Sequence, residues 1–341
     1  MALPACGQPR AAPPLQPQPV ALPTGFHAGM GLAHLHRRGV GYGSAACEAQ
    51  LARLAALGVK HVALTPFAYV RGVDSASFHY GSGLDPTLTD ADLIEACRQA
   101  RSLGMSVCLK PHVWSNAFWG GDGSRQDMRA PDGDWDAWFA AYTRFAVRYA
   151  RVAEQAGAEL YVVGLEYLQA SLAGGGRWAA VADACRTVYG GALTYAANWW
   201  REAEAFGDWQ AFDLVGVNAY HDLVVPDDPD VDELVDAWEK PLDGLVKLGR
   251  ETGKSVLLTE VGVRAVRGAA AQSWNQSLGG TDDPELQARF YEAVLRAVAA
   301  RPTIRGVYWW KWFTDWDRRE NDAYVPGEAA QEVIRAWWGA A

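Results

Sequence analysis

The chain has 341 residues, of which 50% are hydrophobic and 21% are charged, so it can bury one large core. Its formal net charge is −9 and no run of Lys and Arg stands out, which argues against a nucleic-acid partner. No stretch reaches the roughly 18 consecutive apolar residues that a transmembrane helix needs.

Residues 1–23 are rich in Pro, Ala and Gln and show no hydrophobic periodicity. This composition predicts a disordered tail or linker ahead of a single domain over residues 24–341. The stretch Leu3-Pro4-Ala5-Cys6 is similar to a bacterial lipobox, which predicts a lipid on Cys6 and a protein secreted or anchored at the bacterial cell surface. A cytoplasmic protein with an irregular start is the alternative, and membrane contact is expected only through that lipid.

Strand-like and helix-like segments alternate after this tail. The first half of the chain predicts strand 25–30, helix 44–57, strand 59–65, helix 89–103, strand 105–110, helix 134–156 and strand 158–164. The second half predicts helix 177–189, strands 192–197 and 212–218, helix 231–252, strand 255–259, helix 284–300, strand 304–310 and helix 328–338. Glycines directly after many of the helical stretches mark where those helices end.

Eight predicted strands that alternate with helices are typical of a single (β/α)8 TIM barrel, an α/β fold. A doubly wound open sheet is the alternative architecture. It is disfavoured because no Gly-rich dinucleotide or phosphate loop follows the first strand, and Gly29-Met30-Gly31 is too weak a match to serve as one.

Polar and aromatic side chains follow the ends of the predicted strands. In a barrel these positions converge at one mouth, where the chemistry of such folds takes place. The residues concerned are His112 and Trp114 after the third strand, Glu166 after the fourth, Asn198 and Trp199 after the fifth, Asn218 and Tyr220 after the sixth, Glu260 after the seventh, and Trp310 and Trp312 at the eighth.

Two glutamates at a mouth lined with tryptophan predict glycoside hydrolysis of a polysaccharide or oligosaccharide. One carboxyl protonates the leaving oxygen, while the other attacks the anomeric carbon or activates water. Sequence spacing leaves retention and inversion open, because they depend on a carboxyl separation of about 5–5.5 Å or about 6.5–9.5 Å. The five cysteines are scattered and no Cys/His cluster is present, so no metal or other cofactor is predicted.

Four stretches together resemble glycoside hydrolase family 113. They are Lys110-Pro111-His112-Val113, Gly164-Leu165-Glu166, Leu193-Thr194-Tyr195-Ala196-Ala197-Asn198-Trp199 and Leu258-Thr259-Glu260-Val261-Gly262. The similarity runs over residues 25–313. It implies a retaining (β/α)8 enzyme with its two glutamates on strands four and seven, and characterised members are mainly β-1,4-mannanases without a metal cofactor.

The resemblance also implies roles for individual residues. Glu166 would be the acid/base, with a raised pKa, and Glu260 the nucleophile. Trp310 or Trp312 would form the platform beneath the sugar at the cleavage site. The remaining substrate-binding candidates are His112, Trp114, Asn198, Trp199, Asn218 and Tyr220.

Leu165 departs from the family pattern, because relatives have a polar residue before the acid/base, near the sugar 2-hydroxyl. The departure leaves three interpretations open: compensation by Asn198 or Asn218, the same chemistry on glucan, xylan or chitosan, or a catalytically weakened carbohydrate-binding surface lipoprotein. For Glu260, a buried ion pair with a barrel cation such as Lys110 is the structural alternative.

Overall fold

Eight parallel strands close into a barrel in the computed structural model, which describes residues 15–80, 88–119, 121, 123–199, 201–316 and 322–339. The barrel strands are β1 His27–Ala33, β2 His61–Leu64, β3 Ser106–Leu109, β4 Leu160–Leu165, β5 Ala192–Asn198, β6 Leu214–Asn218, β7 Val256–Val261 and β8 Ile304–Phe313. Each strand pairs with its neighbours in chain order, and β8 closes on β1. The predicted (β/α)8 barrel is confirmed.

A helix follows every strand. These helices are α1 Ala45–Ala56, α2 Asp90–Ser102, α3 Trp135–Ala156, α4 Arg177–Arg186, α5 Glu202–Ala205, α6 Val231–Thr252, α7 Pro284–Ala299 and α8 Glu328–Trp338. Sequence periodicity did not predict α5, because a single helical turn is too short to show one. Further short helices are Asn116–Trp119 and Leu168–Ala173, with 3-10 turns at Arg125–Asp127, Pro131–Gly133, Trp209–Ala211 and Ala269–Gln272.

The helix ends follow capping chemistry that is visible in the sequence. The Thr89 hydroxyl accepts from the Asp92 amide, and the Asp92 carboxylate accepts from the Thr89 amide, so the two form a capping box at the start of α2. Gly157 and Gly253 adopt left-handed conformations just after α3 and α6, with φ of 67° and 72°. A residue with a side chain is strained there, so glycine ends both helices.

Two prolines divide the strands that lead to the mouth. Pro66 and Pro111 follow β2 and β3, and beyond them Phe67–Tyr69 pairs in parallel with His112–Trp114. The His112 amide donates to the Pro66 carbonyl at 2.8 Å, so pairing resumes directly after the break. Proline offers no N–H to the ladder, which explains why each strand is split. The extension carries His112 and Trp114 past the end of the barrel strands.

The barrel has an inner and an outer apolar layer. The outer layer lies between strands and helices and forms the main core. The inner cluster consists of Ala63, Cys108, Leu160, Val162, Leu165, Ala196, Leu257 and Tyr308. Leu165 is fully buried in this cluster, so the side chain that departs from the family pattern fills the barrel interior.

The predicted tail is partly docked on the barrel. Residues 15–23 contain no helix or strand, but Leu15 and Leu22 pack on the core and the Gln18 amide donates to Glu292 Oε1 at 2.8 Å. These two leucines lie against the helix layer, and the boundary between tail and domain stays a prediction. Cys6 lies outside the described residues. Within the described part of the chain, no helix is long and apolar enough to cross a membrane.

Candidate active site

Two glutamates lie at the C-terminal end of the barrel. Glu166 directly follows β4 and has a φ of 58°, while Glu260 is the penultimate residue of β7. Their side chains are only 16% and 7% exposed. A positive φ is uncommon for a residue with a side chain and costs roughly 1–2 kcal/mol, so neighbouring contacts must hold Glu166 in place.

Lys110 and Tyr220 hold the carboxylate of Glu260. Lys110 Nζ donates to Glu260 Oε1 at 2.7 Å, and the Tyr220 hydroxyl donates to Oε2 at 2.9 Å. Lys110 also donates to the Thr259 carbonyl at 3.0 Å. The ion pair expected as the structural alternative for Glu260 is therefore present, and it fixes the orientation of the carboxylate.

Asn218 links the two glutamates. Its Oδ1 accepts from Lys110 Nζ at 2.9 Å and from Thr259 Oγ1 at 3.0 Å. Because both partners are donors, the amide nitrogen must face the other way, where Nδ2 donates to Glu166 Oε1 at 2.8 Å. Glu166, Asn218, Lys110 and Glu260 thus form one hydrogen-bonded chain across the mouth.

Arg125 is the second partner of Glu166 and was missed by sequence reasoning. Its guanidinium donates to Glu166 Oε2 at 2.5 Å from the 3-10 turn Arg125–Asp127. Burial alone would raise the pKa of Glu166, but the charge of Arg125 and the hydrogen bonds from Asn218 and Arg125 outweigh it and lower that pKa. The expected raised pKa is wrong for this arrangement, because an arginine pairs with the carboxylate.

His112 stands beside Glu260 as a neutral imidazole. Its Nε2 lies 3.7 Å from Glu260 Oε1, beyond hydrogen-bond distance. Burial, followed by the positive charges of Arg125, Lys110 and Lys311, holds the pKa of His112 well below its usual value. This buried Nε2 has no hydrogen-bond partner within the described ranges, so it is available to a hydroxyl group.

Trp310 forms an aromatic wall together with His112. The two rings stack with centroids 5.6 Å apart and planes 9° from parallel. A Cβ on Gly31 would lie 3.0 Å from the Trp310 ring, and a Cβ on Gly262 would lie 2.3 Å from the Trp310 carbonyl. Gly262 is therefore required for the close approach of the Trp310 backbone, and a side chain at Gly31 would push the Trp310 ring outward.

Trp312 does not join this wall, so the structure leaves Trp310 as the platform candidate. Its side chain is 1% exposed and its Nε1 donates to Gln50 Oε1 on α1 at 3.0 Å. The reason is a bulge in β8, where Trp309 pairs with Met30 but Trp312 pairs with Leu32. One extra residue reverses the alternation of side chains, so Trp312 points at the helices.

The other candidates divide by their contacts. Trp199 is half-buried and meets Tyr220 edge to face at 6.0 Å, while the half-buried Trp114 meets Phe118 in the same way at 5.6 Å. Asn198 is 3% exposed, and its Nδ2 donates to Glu202 Oε2 at 3.0 Å. Asn198 is therefore engaged beneath the site, whereas Asn218 touches a glutamate directly.

Glu202 is a buried carboxyl that sequence reasoning did not single out. Oε1 accepts from the hydroxyls of Ser171 and Tyr195, each at 2.7 Å, and Oε2 accepts from the Asn198 amide at 2.8 Å. Burial raises the pKa of Glu202 to about 7, against the lowering effect of these donors. The Tyr195 hydroxyl also accepts from the Tyr167 amide at 2.9 Å, next to Glu166.

This geometry suits chemistry with two carboxyls on a polar, ring-shaped molecule. The Glu260 carboxylate accepts hydrogen bonds from a lysine and a tyrosine. The Glu166 carboxylate accepts hydrogen bonds from an asparagine and an arginine. A stacked imidazole and indole lie beside the first. Among the described residues, no group of three or more His, Cys, Asp or Glu side chains is placed to hold a metal ion.

The model of Glycoside Hydrolase Family 113 matches residues 30–327 of this chain. The chain is 27% identical to the GH113 β-mannanase AaManA from Alicyclobacillus acidocaldarius in complex with ManMIm, with a TM-score of 0.79 over 92% of this chain and 97% of that one. A complex of a GH113 β-1,4-mannanase superposes with a TM-score of 0.80 at 24% identity, covering 93% and 99% of the two chains.

More distant structures share the fold alone. A glycoside hydrolase family 5 mannosidase from Rhizomucor miehei is 11% identical and has a TM-score of 0.59 over 92% of each chain. The comparison with curated proteins gave no match.

Proposed function

Because the chain belongs to glycoside hydrolase family 113, we propose that it is a retaining endo-β-1,4-mannanase with Glu166 as acid/base and Glu260 as nucleophile. The observation that carries this proposal is the hydrogen-bonded chain from Glu260 through Lys110 and Asn218 to Glu166. These hydrogen bonds connect two buried carboxyls that come from different strands, β4 and β7, at the mouth of the barrel. The choice of mannan is supported by the likeness to the Alicyclobacillus β-mannanase.

Glu260 is suited to attack on the sugar. Lys110 and Tyr220 each donate to one of its oxygens, so the carboxylate cannot rotate away from the substrate. A Glu260 oxygen forms a bond to C1 while the bond from C1 to the departing oxygen breaks. Glu166 gives its proton to that oxygen, and the product is a glycosyl-enzyme ester.

Glu166 then acts as the base. It takes a proton from water as the water oxygen attacks C1. This step breaks the bond between C1 and Glu260, and the released sugar has the same anomeric configuration as the substrate. For the first step Glu166 must be protonated, and the Arg125 pair opposes that protonation. Because this pair lowers the pKa of Glu166, separating Arg125 from Glu166 in the substrate complex would raise it again.

Several residues are placed to hold the substrate. The unpartnered His112 Nε2 can meet a hydroxyl beside Glu260, and Trp310 provides a ring face alongside it. Trp114 and Trp199 extend the aromatic lining. Of the two asparagines that could offset Leu165, Asn218 is the one that contacts a catalytic glutamate, whereas Asn198 bonds to Glu202.

The nucleophile is tested by azide rescue. We expect Glu260→Ala to abolish turnover and azide to restore it, yielding a glycosyl azide whose anomeric configuration is opposite to that of the substrate. Glu166→Ala should lower kcat/KM by roughly 10²–10⁴-fold on mannan, and azide should then give a product of retained configuration. Glu204→Ala, an exposed carboxyl near the mouth, is the control. Near-normal activity of Glu260→Ala would refute the assignment.

The substrate is tested with a panel of mannan, glucan, xylan and chitosan. Reducing-sugar release greatest on β-1,4-mannan supports the proposal, and internal cuts seen in the first products support endo action. If more reducing sugar is released from another glycan, the proposed mechanism stands and that glycan is the substrate instead of mannan. Tight binding without release from any of the four, between pH 4 and 8, would overturn the catalytic proposal.

A further inference from the structure

Resting on the proposed function, we propose that Trp274 is an aromatic platform for a sugar unit remote from the bond that is cleaved. Trp274 lies in the loop between β7 and α7, on the same face of the barrel as the two glutamates. Its side chain is 43% exposed, which leaves a large ring surface open to solvent. Longer β-1,4-linked chains would gain contact with this ring, and short ones would not.

The edge of the Trp274 ring is fixed, while a large part of its surface stays open. Its Nε1 donates to Asp222 Oδ1 at 2.6 Å. Asp222 belongs to the loop after β6, two residues beyond Tyr220. This hydrogen bond favours one orientation of the indole and of its exposed surface.

The backbone on both sides of Trp274 is also fixed. The Tyr324 hydroxyl donates to the Ser273 carbonyl at 2.5 Å, and Arg264 donates to the Gln276 carbonyl at 2.8 Å. Arg264 lies over the ring of Tyr324, 5.8 Å from its centroid, so the two anchors support each other. A platform whose loop is already ordered loses little conformational entropy when a ligand binds.

These anchors connect Trp274 to the catalytic centre along two routes. On one side Tyr220 donates to Glu260 and the same loop supplies Asp222. On the other side burial, followed by nearby charges that include Glu260, raises the pKa of Tyr324, whose hydroxyl donates to the Ser273 carbonyl. A chain of sugars that leaves the mouth over the β6 and β7 loops therefore passes the open ring.

The chemistry of the ligand follows from the ring. The apolar C–H face of a pyranose packs on an indole, as other flat apolar surfaces do, without a specific hydroxyl pattern. The platform is therefore expected to add affinity with chain length and little selectivity between sugars. Its hydrogen-bonding group is already occupied by Asp222, so the ring offers a ligand only its apolar surface.

The first test measures binding in the Glu260→Gln background, where ligands are not consumed. Trp274→Ala should weaken mannohexaose roughly tenfold and mannobiose less than twofold, measured by calorimetry. Leu103→Ala is the matched control, since Leu103 is a 38% exposed apolar residue at the end of α2 on the opposite face of the barrel. The platform is refuted if Trp274→Ala weakens the binding of both oligosaccharides by the same factor, or if it weakens the binding of neither.

The second test separates this proposal from the proposed function. In the active enzyme, Trp274→Ala should lower kcat/KM for mannohexaose relative to mannotriose, while Trp274→Phe keeps much of the length preference. If the unmodified protein hydrolyses no mannan, the proposed function fails, and the binding comparison still decides the platform. If the enzyme is active and its preference for long chains is unchanged by Trp274→Ala, only the platform fails.

Discussion

At the scale of single residues, Arg125 sets the charge of Glu166. The Arg125 side chain is 16% exposed and its guanidinium bonds directly to the carboxylate, so water screens the pair little. Sequence reasoning placed Glu166 beside a second carboxylate and expected a raised pKa. The pair with Arg125 reverses the direction of that shift. The protonation of the proposed acid is thus controlled from a 3-10 turn beyond β3.

We predict that Arg125→Gln moves the alkaline limb of the kcat/KM profile to higher pH. A general acid is active only while it carries its proton, so the alkaline limb follows the pKa of Glu166. Arg125 lowers that pKa, and removing its charge raises it, which keeps Glu166 protonated to higher pH. Arg129→Gln is the control, because Arg129 pairs with the exposed Asp74. An alkaline limb that stays in place or moves to lower pH would contradict the prediction.

The two glutamates were predictable, but their partners were not. Glu166 and Glu260 each end a short apolar strand, and strand ends meet at the mouth of a barrel. Lys110 was foreseen as a partner of Glu260 because it also ends a strand. Arg125 lies in a 3-10 turn and Glu202 in a single-turn helix, and the path of the loops that carry them decides which side chain reaches the site. No periodicity in the sequence encodes that path.

At the scale of elements, the segment after β4 holds Glu166 in a strained conformation. The Glu166 amide donates to the Ala196 carbonyl at 3.0 Å, and the next amide, of Tyr167, donates to the Tyr195 hydroxyl at 2.9 Å. Tyr195 in turn donates to the buried Glu202 at the start of α5. The single-turn helix α5 thereby positions the residue that follows Glu166.

Tyr195→Phe is predicted to reduce kcat roughly tenfold with little change in KM. The loss of the hydroxyl leaves the Tyr167 amide without its partner and frees the neighbouring Glu166 from its productive conformation. Tyr161→Phe is the matched control, because this buried tyrosine on β4 donates to the Ala146 carbonyl on α3, away from the glutamates. Both variants should lose about 1–3 kcal/mol of stability. An equal fall in kcat for both would show that the effect is only structural.

The elements themselves were largely predictable, and the departures have local causes. Strands and long helices carry strong periodicity, so the eight strands and seven of the eight helices after them were expected. The bulge in β8 was not, because one inserted residue leaves the apolar pattern of Tyr308-Trp309-Trp310 intact. It nevertheless moves Trp312 away from the mouth. Because Trp309 and Trp310 are both aromatic, the sequence does not show where the inward and outward alternation of side chains changes.

At the scale of the whole molecule, Glu292 joins three distant parts of the chain. This fully buried carboxylate on α7 accepts from the Gln18 amide at 2.8 Å and from Trp337 Nε1 on α8 at 2.7 Å. Arg296 pairs with it at 2.7 Å. The N-terminal segment is thus fastened to the helices that complete the barrel. Composition alone predicted a disordered tail, since proline-rich stretches rarely pack on a domain.

We predict that Glu292→Ala lowers the free energy of unfolding by about 1–3 kcal/mol, because it leaves the buried Trp337 Nε1 without its acceptor and removes a partner of the half-buried Arg296. The catalytic constants at 25 °C should not change, since Glu292 lies in the outer helix layer, away from the two catalytic glutamates. Glu332→Ala is the control: Glu332 pairs with Arg335 on the surface of α8, and such pairs contribute about 0–1 kcal/mol. Urea unfolding measures both variants. Equal losses of stability would mean that the hydrogen bonds of Glu292 contribute no more to folding than a surface ion pair does.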